Sequence, residues 1–460
     1  MDGLGRFVDL RIHGFGEFAA SRFPGSLKVF LFVGQEEKIK MKRKCLALML
    51  TLTVGLSLSV YAGEAESDTA SAVSGAESVE TTESAAETES AAETESAAET
   101  ESAAATESAE TAESTEATGE ETESASKSAH LLAEGYELMD GLTIPVGITN
   151  KDMDAENLEP EKGEKLTIEG SQGKDLNLYV FRPADYEEGE TTPVIYYIHG
   201  GGYQFGNTGM FEGTVQEVAD GSGATVVSVD YTLTKDDDYK YPMELEDAYA
   251  GLLYVYDHAD ELNVDPENIV IEGESAGGGL TARLALYNKD KGEVPLKGQI
   301  LVYPMLDYRT GGEEDIYDHE FAGEFIWTPD NNTLGWADLF AGQESELPEE
   351  EMIYFSPALA TVDQLKGLPD TFMIVGSLDL FCDEDMDYAR KLMDAGVFTE
   401  LHVEPGVPHA YESFSWTPQA KRFNELRDTA TARMLGKNDT ELSAEEEEVY
   451  NYVLQYLLGE

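Results

Sequence analysis

Short apolar runs separated by segments of helical period constrain the fold of residues 130–460 more than any other feature. The runs lie at 194–198, 224–229, 269–271, 299–302, 372–375 and 400–403. Most are continuous in apolar and β-branched residues, as strands buried on both faces of a parallel sheet are. Between them, residues 242–258 place apolar side chains at helical spacing behind an acidic first turn. We therefore expect an α/β fold with a mostly parallel central sheet and flanking helices.

A glycine-rich turn after the third run predicts a nucleophilic serine. The strand pattern at 268–271 leads into the sequence GESAG at 273–277, and a helical pattern follows at 280–287. A serine between glycines at a strand-to-helix turn is the pattern of a nucleophile elbow, in which a strained backbone lifts the hydroxyl towards substrate. The next amide lies at the helix N-terminus, where it can stabilise an oxyanion. Ser275 is thus the predicted nucleophile and Ala276 a predicted donor.

A second glycine-rich turn, HGGGY at 199–203, follows the strand pattern at 194–198. Glycines allow neighbouring backbone N–H groups to converge on one point, as the oxyanion of a tetrahedral intermediate requires. The alternative interpretations are a simple tight turn or an anion-binding nest. With an elbow later in the chain, an oxyanion hole is the better prediction.

The serine needs a general base, and α/β hydrolases place their triad in the order Ser, acid, His. The candidate histidines are His199, His258, His319, His402 and His409. His402 lies within a predicted strand, whereas His409 follows that strand in a loop, where catalytic residues concentrate. We predict His409 as the base.

The acid is expected after the strand pattern at 372–375. Asp379 follows that run directly, while Asp383, Glu384 and Asp385 resemble the acidic first turn of the next helix. Asp379 is therefore the predicted acid and Asp383 the alternative.

The charge balance excludes one class of function. The chain has 92 acidic and 30 basic residues and a formal net charge of −62, so it lacks the basic surface on which nucleic-acid binding depends. Its two cysteines exclude a disulfide scaffold, and Cys382 has no intramolecular partner after removal of a signal peptide. No metal-binding cluster or cofactor motif is visible, so we expect neither.

The first 129 residues divide into three predicted segments. Residues 41–62 have the basic start, the apolar run and the small terminal residues of a secretory signal. The apolar run is too short for a comfortable membrane span. The alternative interpretation is an uncleaved membrane anchor. Residues 1–40 precede its methionine and are interpreted as a mis-called leader. Residues 63–129, with a repeated ESAAET hexad, predict a disordered tether, or alternatively a binding tail. We expect a secreted or cell-surface bacterial protein.

These motifs resemble the hormone-sensitive-lipase-like family of bacterial esterases, within the α/β-hydrolase superfamily. HGGGY at 199–203 resembles the family's HGGG block, and GESAGG at 273–278 its GDSAGG elbow with Glu in place of Asp. The blocks at 379–384 and 409–411 follow in the family's order, and the likeness covers nearly all of 165–435. One departure is the family's DYRLAPE, which becomes DYTLTKDDD at 230–238.

The resemblance implies an α/β-hydrolase fold with a small helical cap, contributed by about 130–163 and 313–351. It implies hydrolysis of carboxylic esters, usually with short acyl chains and here from small-molecule or carbohydrate-linked substrates. It assigns the triad to Ser275, Asp379 and His409, and the oxyanion-hole amides to Gly201, Gly202 and Ala276. Candidate substrate contacts are His199, Tyr203, Phe325, Trp327 and Trp336, although each aromatic also suits an ordinary core position.

Two other functions remain open at this stage. A serine peptidase could use the same fold, although such enzymes usually carry an extra substrate-gating domain, for which residues 130–160 leave no space. A non-catalytic binding module is the second alternative, since some relatives bind ligands after losing a triad member. The acidic body favours neutral or cationic substrates and gives no support for docking on anionic membranes.

Overall fold

The computed structural model describes residues 126–318, 320–340 and 347–437. The predicted leader, the signal segment and almost all of the tether lie outside these residues, as do His319 and residues 438–460. Residues 126–129, which the sequence places in the tether, belong to the fold, because Ser128 is fully buried and its N–H donates to Glu324 Oε2 at 2.7 Å. None of the helices within the described ranges is long and apolar enough to cross a membrane.

An eight-stranded, mostly parallel sheet forms the centre of the fold, as predicted. Its strands are β1 (Glu164–Glu169), β2 (Asp175–Phe181), β3 (Thr192–Ile198), β4 (Thr225–Asp230), β5 (Val264–Glu274), β6 (Gly298–Val302), β7 (Asp370–Gly376) and β8 (Thr399–Glu404). They are ordered β1-β2-β4-β3-β5-β6-β7-β8; β2 runs antiparallel to both of its neighbours, β1 and β4, and the other neighbouring pairs are parallel. All six predicted strands are present. The hairpin of β1 and β2 was not predicted.

Helices cover both faces of the sheet. The longer ones are α1 (Glu212–Ser222), α2 (Met243–Asp257), α3 (Ala276–Lys291), α4 (Pro329–Phe340), α5 (Cys382–Asp394) and α6 (Pro418–Met434). Single α-helical turns lie at Ala259–Leu262, Met352–Phe355 and Val362–Leu365, and 3₁₀ turns at Ala129–Leu131, Glu137–Met139, Ser171–Gly173, Glu349–Glu351, Pro357–Leu359 and Tyr411–Ser413.

Two apolar clusters lie on opposite faces of the sheet, because successive side chains of a strand alternate in direction. Val194, Tyr196 and Ile198 of β3 belong to one cluster, and Ile195 and Tyr197 to the other. Helices α2, α3 and α5 contribute to the first cluster, α1 and α6 to the second. Burial on both faces explains why these strands read as continuous apolar runs.

The two predicted cap segments join each other. Thr143 and Ile326 form an isolated parallel bridge, in which Ile144 N–H donates to Ile326 C=O at 2.8 Å and Ile326 N–H to Leu142 C=O at 2.8 Å. The described structure differs from a fully helical cap: residues 130–163 form turns and short 3₁₀ segments, and among the described residues of 313–351 the one longer helix is α4. We refer to α4 below as the cap helix.

Candidate active site

Ser275 occupies the sharp turn between β5 and α3. Its φ and ψ are 55° and −122°, a conformation that non-glycine residues rarely adopt. Its N–H donates to Val302 C=O at 2.8 Å, and its own C=O accepts from Gly279 N–H at 2.9 Å and Met305 N–H at 3.0 Å. Such strain persists only where surrounding contacts fix the backbone, and these three hydrogen bonds do so.

The turn is possible because α3 begins in direct contact with the end of β3. A Cβ at Gly277 would lie 2.1 Å from the carbonyl oxygen of Ile198, closer than any side-chain carbon can approach. Glycine at 277 therefore allows the helix N-terminus to lie beside the strand that leads into the HGGGY turn. Ser275 and that turn become neighbours: a Cβ at Gly200 would lie 3.3 Å from Ser275 Cβ.

His409 connects Ser275 to Asp379. Its Nε2 is 2.9 Å from Ser275 Oγ, and its Nδ1 is 2.8 Å from Asp379 Oδ2. The carboxylate accepts from Nδ1–H, which leaves Nε2 free to accept the serine proton. Asp379 Oδ1 accepts in turn from Phe381 N–H at 3.0 Å. All three side chains are buried, so this hydrogen-bonded chain is shielded from water.

The alternative base and acid are placed elsewhere. His402 is in register with Ile374 in the sheet, and its Nε2 lies 2.8 Å from Glu400 Oε1. Asp383 occupies the first turn of α5, as expected for a charge that favours a helix N-terminus. The structure thus brings together Ser275, Asp379 and His409 and leaves the two alternatives out.

The loop at residues 199–206, called the oxyanion loop here after its predicted role, lies against Ser275. Gly201 has φ 119° and Gly202 φ 60°, the region that favours glycine. Within the described ranges neither amide has a hydrogen-bond partner, so both are available to a bound oxyanion. A Cβ at Gly202 would lie 2.2 Å from Trp327 Cη2, so the indole covers this part of the loop.

Three aromatic rings surround His409. The ring centroids of Tyr303, Phe381 and Trp327 lie 4.6, 5.3 and 6.4 Å from that of the imidazole. The sequence predicted a pocket role for Trp327 but not for Tyr303 or Phe381. Tyr303 follows the carboxyl end of β6 and Phe381 that of β7. This position is the sequence signal that could have identified both as neighbours of the site.

The other predicted substrate contacts lie in the protein interior. His199 is fully buried and stacks on Tyr231, with ring centroids 4.4 Å apart, so it supports the loop from behind and the prediction of a substrate contact is corrected. Tyr203 and Trp336 are buried with their ring centroids 6.1 Å apart, and Phe325 is 1 % exposed. For these three the core interpretation fits the structure.

Buried carboxyl groups accompany the nucleophile. Glu274 is 8 % exposed, and burial together with the nearby Glu412 carboxyl raises its pKa to about 8. Burial also raises the pKa of Glu272, to about 7, against the opposing effect of Arg427. In the described part of the chain, no three His, Cys, Asp or Glu side chains are arranged to hold a metal ion.

This chain is similar to known proteins. The alpha/beta hydrolase fold family matches residues 195–413. A carboxylesterase of Mycobacterium tuberculosis is 33 % identical over 268 residues, which are 56 % of this chain and 79 % of the relative. An ethyl acetate hydrolase of Pseudomonas putida is 26 % identical over 255 residues, 55 % of this chain and 76 % of the relative.

Solved structures are similar as well. A bacterial heroin esterase has 32 % sequence identity and a TM-score of 0.54, and the match covers 61 % of this chain and 87 % of that one. A thermostable esterase of Pseudomonas putida has 28 % identity and a TM-score of 0.56, with 64 % and 93 % covered.

The raised pKa of Glu274 predicts a pH-dependent stability. The folded state keeps this proton between the ordinary pKa of 4.5 and the folded value of about 8, while the unfolded chain releases it, so the free energy of unfolding falls as pH rises through that window. Glu274→Gln should make the decline shallower. Urea denaturation at pH 5, 6, 7 and 8 measures this decline in the free energy of unfolding. Exposed Glu267→Gln on the same strand is the control; an unchanged slope in Glu274→Gln contradicts the assignment.

Proposed function

Because this chain belongs to the hormone-sensitive-lipase-like family of α/β hydrolases and is a carboxylic ester hydrolase, we propose that it cleaves short-chain acyl esters through a Ser275 acyl-enzyme. The observation that carries the proposal is the continuous contact from Ser275 through His409 to Asp379, at 2.9 and 2.8 Å. This is the arrangement that converts a weakly nucleophilic hydroxyl into an attacking group.

In the proposed cycle, His409 Nε2 accepts the Ser275 proton as Oγ attacks the ester carbonyl. Asp379 holds the imidazole in the required tautomer and stabilises the cation that forms. The imidazolium then gives its proton to the departing alcohol, and the acyl-enzyme remains. Water, deprotonated by the same nitrogen, releases the acid and restores Ser275.

The oxyanion of each tetrahedral intermediate is assigned to the amides of Gly201, Gly202 and Ala276. Two of these belong to the oxyanion loop, and the third opens α3, whose N-terminal dipole favours negative charge. Removing one such donor costs about 3 kcal/mol of transition-state stabilisation in enzymes of this kind.

Trp327 supports the short-chain part of the proposal. Its indole lies against Gly202 and beside His409, and its Nε1–H donates to Asn332 Oδ1 at 3.2 Å, which fixes the ring. A fixed, 2 % exposed indole at this position would limit the space for an acyl chain beside the oxyanion loop. The name of one relative, an ethyl acetate hydrolase, is consistent with a small acyl group.

The triad assignment predicts a loss of activity. Ser275→Ala, His409→Asn and Asp379→Asn should each lower kcat on p-nitrophenyl acetate by about 10⁴ or more, since the three groups act as a unit. His402→Asn and Asp383→Asn are the matched controls and should keep wild-type rates. Parallel assays on aminoacyl amides address the peptidase alternative. Wild-type activity in Ser275→Ala would refute the assignment.

The position of Trp327 predicts an effect on acyl-chain preference. Trp327→Ala should open space beside the oxyanion loop and raise the ratio of kcat/KM for p-nitrophenyl hexanoate over acetate about 10-fold, since each added methylene then gains apolar contact. The ratio does not depend on the amount of folded enzyme. Trp336→Phe, at another buried tryptophan, should leave it unchanged. An unaltered ratio in Trp327→Ala contradicts the proposed role of the indole in limiting acyl-chain length. Assays on acetylated xylo-oligosaccharides test carbohydrate-linked substrates.

We also propose that the enzyme is exported from a bacterial cell and carried on the acidic tether. The support is the sequence pattern at 41–62 and the Glu-rich repeat that follows it. Mass mapping of the N-terminus of the protein in the medium is the test. A mature start near Gly63 is expected, and a product that contains residues 1–40 would contradict both the start site and the cleavage.

A further inference from the structure

We propose that Gln204, Asp338 and Lys235 form a latch that positions the oxyanion loop against the cap helix. The inference rests on the proposed function, because it gives the loop its catalytic role. None of the three residues is assigned contact with the reacting atoms; they are positioning residues.

Asp338 of the cap helix is the centre of the latch. Its Oδ2 accepts from Gln204 Nε2 at 2.7 Å and from Lys235 Nζ at 2.5 Å. Gln204 is 2 % exposed, and the side chains of Lys235 and Asp338 are 28 % and 23 % exposed. The surface pair of Lys366 and Asp363, by contrast, is 60 % and 87 % exposed. The latch is therefore screened by water much less than an ordinary surface ion pair.

Gln204 also closes the turn that presents the proposed oxyanion donors. Its N–H donates to Gly201 C=O at 3.0 Å, and the N–H of Phe205 donates to the same oxygen at 3.1 Å. Gly201 begins this turn with its carbonyl group, and the Gly202 amide lies within it. A displacement of Gln204 would therefore change the direction of the Gly202 amide and disturb the backbone at Gly201.

Lys235 reaches the latch from a segment that is bound to the same loop. Thr234, the preceding residue, donates from its N–H and its Oγ1 to Tyr203 C=O, at 2.9 and 3.1 Å. Lys235 belongs to the stretch at 230–238 that departs from the family's sequence pattern. The latch gives this departure a structural role.

The cap helix touches the loop directly at one further point. A Cβ at Gly335 would lie only 3.1 Å from the carbonyl oxygen of Gly202, so the helix backbone packs on the loop with no side chain between them. With Trp327 covering Gly202 as well, a shift of the cap helix would move the proposed oxyanion hole. Asp338, one helical turn further along at i+3, is well placed to prevent that shift.

The latch predicts an effect on kcat rather than on KM. The oxyanion develops after substrate binds, so misdirected donors weaken the transition state more than the ground state. Gln204→Glu places two carboxylates in contact and should lower kcat on p-nitrophenyl acetate about 10-fold or more, with KM nearly unchanged. Affinity for phenylboronic acid, which forms a tetrahedral adduct with a catalytic serine, should fall in parallel. Lys235→Met should give a smaller loss of kcat.

The exchange variant Gln204→Glu/Asp338→Asn separates positioning from folding. It restores one carboxylate and one amide to the contact, so it should recover most of the lost kcat and boronate affinity. Gln216→Glu is the matched control, because Gln216 Nε2 donates to Asp220 Oδ1 at 2.9 Å on α1, away from the loop. Its kcat should remain that of the wild type. Rates are normalised to active sites titrated with an organophosphonate, so partial unfolding does not imitate the effect.

The latch is overturned if Gln204→Glu keeps wild-type kcat and boronate affinity, or if the exchange variant fails to recover them. It is also overturned if Gln216→Glu loses as much activity as Gln204→Glu. Ser275→Ala is measured in the same series at equal protein concentration, because it has no hydroxyl for the phosphonate to titrate. An inactive Ser275→Ala beside an unaffected Gln204→Glu rejects the latch alone, whereas an active Ser275→Ala rejects the proposed function.

Discussion

The close approach of α3 to the end of β3 is the constraint on which the rest of the site depends. With no side chain at Gly277, α3 starts against the carbonyl of Ile198. Ser275, the residue before the helix, adopts the sharp turn. That turn brings the Ser275 hydroxyl to His409 and puts the first helical amide beside the oxyanion loop. A methyl group at 277 would separate these parts. Its carbon would lie 2.1 Å from the carbonyl oxygen of Ile198, and because that oxygen belongs to the backbone, the clash could not be relieved by moving a flexible side chain.

The sheet supplies the second requirement, which is convergence. β3, β5 and β7 are parallel, so the loop, the nucleophile and the acid all leave the sheet at one edge. Loops that are far apart in sequence can therefore meet without long excursions. The cap then covers this edge through its contacts with Gly202 and His409, and the reacting groups end up buried although each lies on a connection.

Much of this arrangement was predictable from local patterns. The strands with continuous apolar runs are predictable because burial on both faces leaves that signature. β1 lacks it, since it is largely exposed and carries polar residues such as Glu164 and Lys165. β2 escaped prediction although most of its residues are buried. The preference for His409 over His402 rested on position after a strand, and the geometry separates the two in the same way. The turns at 130–163 lack a helical period and were expected to be helical by resemblance alone.

What sequence could not supply were contacts between distant residues. Gln204 and Asp338 are 134 positions apart, and Lys127 and Ser128 meet Glu324 across nearly 200. The sequence is equally compatible with His199 as a substrate contact or as a buried support for the loop. Its stacking on Tyr231 shows that it is a buried support. Glu274 likewise gives no sign in sequence that burial keeps its proton.

The rings around His409 have a consequence for how the imidazole works. Tyr303 and Phe381 pack on the ring and both of its nitrogens are hydrogen-bonded, so a turn about the Cβ–Cγ bond would break these contacts. Its orientational entropy is lost when the chain folds, before any substrate arrives, and not again in each turnover. The His409 imidazole can therefore accept and donate a proton in each turnover without changing its orientation.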